Sequence, residues 1–261
     1  MAARAIWKGQ LKLGTNKLAV KLYSAVEDKS VRFHILDNTK RNRVKQHMVV
    51  PDSGAEVETK EIRKGYEIEP GRFVILEEKE LEELKPEASR DIEVSAFVPI
   101  DEIPQQFYER PYFLGPDGDQ SDYFALAEAL QNQQREGIAT WVMRNKKYTG
   151  ALGAQDGYLV LSTLRNEGEV VSADELPKVT GRAPTKKEID MAKHLVSLLE
   201  GEFDPKEFKD EYRERVMEFI EKKAKGRAPR LAAVKTKRKT TSLDSVLAKS
   251  IASLKKGKRA A

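Results

Sequence analysis

Apolar and polar residues alternate closely enough to period two over 6–13 (IWKGQLKL) and 18–25 (LAVKLYSA) to predict two half-buried strands. Gly14, Thr15 and Asn16 supply the turn between them. Short apolar runs bounded by Gly, Pro or charged residues predict further strands at 31–36, 73–76, 92–97 and 112–114. The segment 77–84, EEKELEEL, predicts a short acidic helix with its carboxylates on a solvated face. Tyr123, Leu126, Ala127 and Leu130 recur at helical spacing after a Ser121 or Asp119 cap, predicting one helix that ends before Gly137. The period then returns to two: 138–143, 148–152 and 158–164 are strand candidates joined by tight turns, an antiparallel meander. Many short strands with tight turns predict a barrel or sandwich. The fold class expected is therefore α+β, mainly β.

From residue 185 the pattern is helical. Thr185 and Glu188 form a capping box, Ile189, Ala192, Leu195, Val196 and Leu199 an apolar stripe, and Gly201 a stop. Asp204-Pro205 with Glu207 predicts the start of a second helix running to Gly226, with Phe208, Tyr212, Val216, Phe219 and Ile220 on its buried side. Two helices after an all-β core must pack on that core or on a partner subunit. Residues 227–240 form a basic linker too poor in apolar residues to pack. Beyond it, Thr241 and Asp244 can cap a short amphipathic helix carrying Leu243, Val246, Leu247, Ile251 and Leu254. A helix of that length is marginal alone and needs a partner, a membrane surface or its own core. The domain division expected is a core over 1–184, a helical arm over 185–226 and a basic tail over 227–261.

The charge is unevenly placed. The chain has 261 residues and a formal charge of +5. Residues 1–50 hold 11 basic and 3 acidic side chains, net +8, whereas 51–130 hold 8 and 21, net −13. Residues 227–261 hold 11 and 1, net +10. A polyanion, or an acidic protein, would be drawn to the two ends and repelled by the middle. Within the first segment, Lys40, Arg41, Arg43 and Lys45 fall in six positions, NTKRNRVKQH, ahead of a Pro-Asp-Ser-Gly turn. Such a cluster suits a nucleic-acid contact, and equally a solvated loop or a strand edge blunted by lysines.

Chemistry beyond binding finds no support in the motifs. The chain has no cysteine, which excludes disulfides, thiolate nucleophiles and cysteine-ligated zinc. It contains no phosphate-loop, dinucleotide or nucleophile-elbow pattern. His34, His47 and His194 are too far apart to make a metal-ligand motif, and Asp117, Asp119 and Asp122 lack the rest of a calcium loop. No enzyme, metal or cofactor is expected. The first residues have no apolar signal core, and no stretch reaches the roughly 18 apolar residues of a membrane span, so the reading is soluble, cytoplasmic and independent of membranes.

The segments IWKGQL, VKLYSA, RFHIL, KGYE, FVILEEKELEEL, PYFLGPD, GIATWVMR, GYLVLSTLR and FDPKEFKDEYRE, in that order over about residues 4–226, resemble the prokaryotic Ku family. Members of that family are homodimeric DNA-end-binding proteins of bacterial non-homologous end joining. The resemblance implies a β-barrel core that dimerises into a ring, helical C-terminal arms embracing the partner, and DNA threaded through the opening from a free end. It also implies that the large N-terminal α/β domain of the eukaryotic relatives is missing, since IWKG begins almost at Met1. Many members carry a paired-cysteine segment, VCxxCG, after the basic run; here those positions read Val50-Pro51-Asp52-Ser53-Gly54, and a metal-binding role is lost with the cysteines.

By the same resemblance residues 40–45 fall in the bridge over the DNA. A ring accepting any broken end cannot read base edges, so its lining should meet phosphates through Lys and Arg. The residues expected to do so are Arg32, Lys40, Arg41, Arg43 and Lys45, with Arg144, Lys146 and Lys147 at a hairpin. The acidic middle would lie outside. In this family the C-terminal tail recruits an ATP-dependent DNA ligase; that role would fall here to Leu243, Val246, Leu247, Ile251 and Leu254. The alternatives are a basic dimeric scaffold for an acidic protein, or a chromatin protein that binds duplex without needing an end.

Overall fold

The computed structural model describes residues 3–118 and 120–226. In chain order they form β1 (Trp7–Leu13), β2 (Asn16–Ser24), β3 (Lys64–Glu69), β4 (Arg72–Leu76), α1 (Glu78–Glu83), β5 (Asp91–Pro99), β6 (Tyr108–Pro116), α2 (Ser121–Gln133), β7 (Arg135–Met143), β8 (Lys146–Gln155) and β9 (Tyr158–Leu164). Helices α3 (Lys186–Leu198) and α4 (Glu211–Ala224) follow. The chain divides into two compact units: residues up to 29 with 34–176, and residues 30–33 with the chain from Pro177 onward.

In the first unit seven strands close into a barrel in the order β1-β2-β6-β9-β8-β7-β5. Every neighbouring pair is antiparallel except β1 and β5, which run parallel and complete the ring. Closure removes the exposed edges that an open sheet of these apolar strands would present. Alternation sorts each strand into two faces: along β7, Ala139, Trp141 and Met143 point inward while Ile138, Thr140 and Val142 are half-buried. With Leu11, Val20, Leu22, Ile92, Leu114, Leu152, Leu159 and Leu161 they make one core. Helix α2 sets Tyr123, Ala127 and Leu130 against that core. The Tyr123 hydroxyl donates to the Leu114 carbonyl and accepts from the Leu159 amide at 2.8 Å, so its buried polar end is satisfied.

Three sequence expectations are corrected. Residues 31–36 form no strand: Phe33 and Ile35 are exposed, and only Leu36 makes a bridge, to Arg43. Helix α2 ends before Gly137 as expected, because Gln134 turns left-handed at φ 51° and caps it. Gly137 lies inside β7, where an added Cβ would stand 2.9 Å from Val94 and 3.0 Å from the Phe97 ring. Strand β6 runs well past the 112–114 core because Pro111 falls next to a register shift between Tyr108 and Arg110, where a missing N–H breaks no ladder bond. The ribbon partner β3 was not anticipated at all; it pairs with β4, and neither strand contains a buried residue.

In the second unit, Thr185 and Glu188 close the expected capping box on α3. Asp204, however, caps only a short turn over Pro205–Glu207, and α4 starts later, on Asp210, whose carboxylate accepts the Arg213 amide at 2.9 Å. Phe208 therefore lies outside the helix and stacks on Phe203, centroids 5.1 Å apart. The predicted apolar stripes are present but unburied: Val196, Leu199, Phe208 and Tyr212 are 64–71% exposed. Amphipathic spacing predicts which face is apolar, and the described residues provide nothing to cover it.

Candidate nucleic-acid interface

The basic run folds around an acid. Residues 36–43 make a tight reversal closed by the Leu36 to Arg43 bridge and by the Asp37 amide donating to the Asn42 carbonyl at 2.9 Å. Inside it, the half-buried Asp37 carboxylate collects three backbone amides: Thr39 at 2.9 Å, Lys40 at 2.6 Å and Asn42 at 2.7 Å. The Lys40 and Asn42 amides hold its carboxyl below the usual carboxylate range. Between them Arg41 takes a left-handed backbone at φ 57°, a conformation that costs a non-glycine residue roughly 1–2 kcal/mol. The outcome is that Lys40, Arg41, Arg43 and Lys45 all project from one small turn, exposed, and none has a carboxylate within ion-pair distance among the described residues.

The second predicted set sits on the β7–β8 hairpin. Arg144 and Asn145 occupy its two turn positions with φ 52° and 61°, the type I′ geometry that matches strand twist. Lys146 lies 5.3 Å over the Tyr148 ring, which in turn stacks on Trp141 at 5.5 Å, so this cation rests on an aromatic pair reaching into the core. Lys146 also helps hold the nearby Glu169 carboxyl below its ordinary range, behind the larger effect of Asn166. Arg144 lines a shallow cavity of about 280 Å³ together with Trp7 and Arg90. Arg90 is a cation the sequence reading passed over, for it carries no local motif. No hydrogen bond or ring contact joins the two cationic turns among the described residues. Arg32 is exposed and belongs with the second unit.

Position along the chain proves a poor guide to free charge. Three of the lysines behind the +8 of the first segment lie on the barrel wall and are paired with acids of the −13 segment. Lys21 meets Asp117 at 2.5 Å, with Lys8 at 3.4 Å from the same carboxylate, and Lys12 meets Asp91 at 2.5 Å and Glu93 at 3.5 Å. Asp117 titrates below the usual range because of Lys21 first and Lys8 after it. These acids are partners of the strand lysines rather than a separate surface.

The turn at 50–54 is closed by backbone bonds and flanked by side-chain ones. The Gly54 amide donates to the Val50 carbonyl at 2.8 Å and the Val50 amide to the Ala55 carbonyl at 2.9 Å, while His47 and Glu56 pair across it. Among the described residues no three His, Asp or Glu side chains converge as a metal site would require. The predicted tail residues Leu243, Val246, Leu247, Ile251 and Leu254 lie outside the described residues.

Comparison with known proteins also points to a β-barrel. Residues 12–191 match the model of the Ku family, described as the Ku70/Ku80 beta-barrel domain. This chain belongs to the Ku family. It is 38% identical over 226 residues to the non-homologous end joining protein Ku 2 of Geotalea uraniireducens, spanning 87% of this chain and 88% of the relative. To the corresponding protein of Anaeromyxobacter sp. it is 39% identical over 228 residues, 87% of this chain and 77% of that one. The Archaeoglobus fulgidus protein is 34% identical over 226 residues, covering 86% and 89%. The matched region of this Ku-family chain takes in nearly the whole barrel, the insertion that carries Lys40 to Lys45 and the start of α3.

Proposed function

We propose that this chain binds the ends of double-stranded DNA without regard to base sequence, as a homodimer, in repair of double-strand breaks by non-homologous end joining. It does so as a binding protein and not as an enzyme, in the cytoplasm at the nucleoid. One observation carries the reading: four exposed cations, without ion-pair partners among the described residues, stand on and just beyond the Asp37 turn, while strand lysines of the same segment are neutralised. Unpaired cations on a common turn favour phosphate contact, because they release counterions from the duplex without first breaking an ion pair. Arg144, Lys146 and Lys147 add a second cationic turn, and Arg32 a further cation. If about six of these side chains reach phosphates, the binding constant falls with salt at a log-log slope of roughly −5.

The test compares a linear duplex of about 40 base pairs with open ends, the same duplex with both ends blocked by bulky proteins, and a closed circle, at roughly 0.15 M salt. Tight binding to open ends alone supports end recognition by a threaded ring. Equal binding to all three leaves a duplex-binding protein without end preference. No binding to any leaves the scaffold reading.

Recruitment of an ATP-dependent DNA ligase through the tail is a further part of this proposal, resting on the resemblance to the Ku family; the apolar spacing of Leu243, Val246, Leu247, Ile251 and Leu254 supplies a helix face that could dock on such a partner. Deleting residues 227–261 should leave end binding largely intact and abolish stimulation of the ligase. Unchanged stimulation refutes the assignment.

A further inference from the structure

We infer that Asp37 is a positioning residue for phosphate contact: an acid at the centre of a basic turn whose removal weakens DNA binding although it makes the turn more positive. The inference rests on the DNA-binding reading above and deepens it.

Simple electrostatics predicts the opposite. A carboxylate a few residues from four cations repels an approaching phosphate, and neutralising it should tighten binding. Asp37 differs in what its charge does. Oδ1 accepts the Thr39 and Lys40 amides and Oδ2 the Asn42 amide, so both oxygens face the backbone of the turn they organise. The cations meanwhile form no ion pair with it among the described residues, so its charge is spent on amide dipoles and leaves the side chains free. The reversal also holds Arg41 left-handed at φ 57°, which an L residue leaves unless its neighbours fix it.

Few other contacts hold the turn together. The Asp37 and Val44 amides donate across it to Asn42 and Ile35, at 2.9 and 3.1 Å. Lys40, Arg41, Arg43 and Lys45 are themselves exposed. Without the carboxylate, the Thr39, Lys40 and Asn42 amides turn to water and Arg41 relaxes to a right-handed backbone. The cations then sample many directions, and each must be ordered again on DNA at a cost in conformational entropy.

The experiment measures binding of the full chain and its Asp37→Ala and Asp37→Asn variants to the open-ended duplex across a salt series. Both substitutions remove the same charge, but Asn keeps one amide-accepting oxygen. Positioning predicts Asp37→Ala to bind about tenfold more weakly or worse, with a salt slope shallower by about 2, the loss of roughly two phosphate contacts. Asp37→Asn should fall between Ala and wild type. Amide hydrogen exchange at Thr39, Lys40 and Asn42 should quicken in the same order. Equal or tighter binding by Asp37→Ala at unchanged slope overturns the inference and leaves the DNA-binding reading intact. A wild type that binds no duplex overturns both. Should Asp37→Ala lose its cooperative melt, Asp37→Asn decides alone: weaker binding than wild type supports positioning, and equal or tighter binding overturns it.

Discussion

Tyr123 shows how one atom joins separate elements. Its hydroxyl serves the Leu114 carbonyl on β6 and the Leu159 amide on β9 from helix α2. In Tyr123→Phe both groups stay buried without a partner, and denaturant unfolding should register a loss of about 1–3 kcal/mol. Gly150 is a second single-atom constraint: a Cβ there would lie 2.5 Å from the Ser162 carbonyl oxygen and 2.7 Å from the Trp141 ring. Gly150→Ala should therefore cost about 1–3 kcal/mol and shift the tryptophan fluorescence, since Trp141 must move to admit it. At this scale the candidate site was only half legible. The cations at 40, 41, 43 and 45 are conspicuous in any reading of charge, but Asp37 is not, because an acid beside a basic run reads as dilution. Its role depends on which amides it faces, and that is a property of the folded turn. The lysines at 8, 12 and 21 illustrate the converse, for their partners at 91, 93 and 117 are distant in sequence and adjacent across the barrel.

Among the elements, strands were legible where alternation was backed by a neighbour and illegible where it was not. The meander of β7, β8 and β9 follows its sequence pattern, and its pairings are local. Residues 31–36 have the right composition, but their only bridge among the described residues is that of Leu36 to Arg43, so composition alone predicted a strand that does not form. Helix starts were read from capping chemistry, which named Asp204 for the second helix; Asp204 instead caps a one-turn 3-10 helix over Pro205–Glu207, and Asp210 caps α4. The α3 cap has a measurable signature. Arg182 first, and then the Thr185 amide and hydroxyl, lower Glu188 from its ordinary 4.5 to about 2. A carboxyl depressed on folding contributes stability that is present above its unfolded value and fades as pH falls toward the folded one. An NMR titration should therefore find the Glu188 midpoint well below 4.5, with α3 loosening progressively as pH falls from 4.5 to about 2. In Thr185→Ala the hydroxyl is lost and the midpoint should rise; an unchanged midpoint would mean that Arg182 and the backbone amide of residue 185, which the substitution keeps, set it.

For the molecule as a whole, the barrel and the insertion that carries the basic turn are connected in a way that keeps their tasks apart. The chain leaves the barrel after Ser24 and returns at Asp91, and β1 alone separates the two strands involved. Trp7 pairs with Leu22 on one side of β1 and Gln10 with Asp91 on the other, so exit and return lie at the same end of the barrel, roughly 20 Å apart by strand spacing and rise. A linker of about ten residues can bridge that gap. A variant with residues 27–88 replaced by such a linker should keep a cooperative melt and a barrel-like circular dichroism spectrum while losing the salt-steep affinity for duplex. Loss of the fold would show that the insertion stabilises the barrel. The geometry has an evolutionary corollary. Because doubling a closed loop costs only about 0.6 kcal/mol, what lies between these anchors can lengthen, shorten or change its charge with little penalty to the core. The barrel works as a fixed socket, and natural variation in how such proteins grip a polyanion should collect in the part plugged into it.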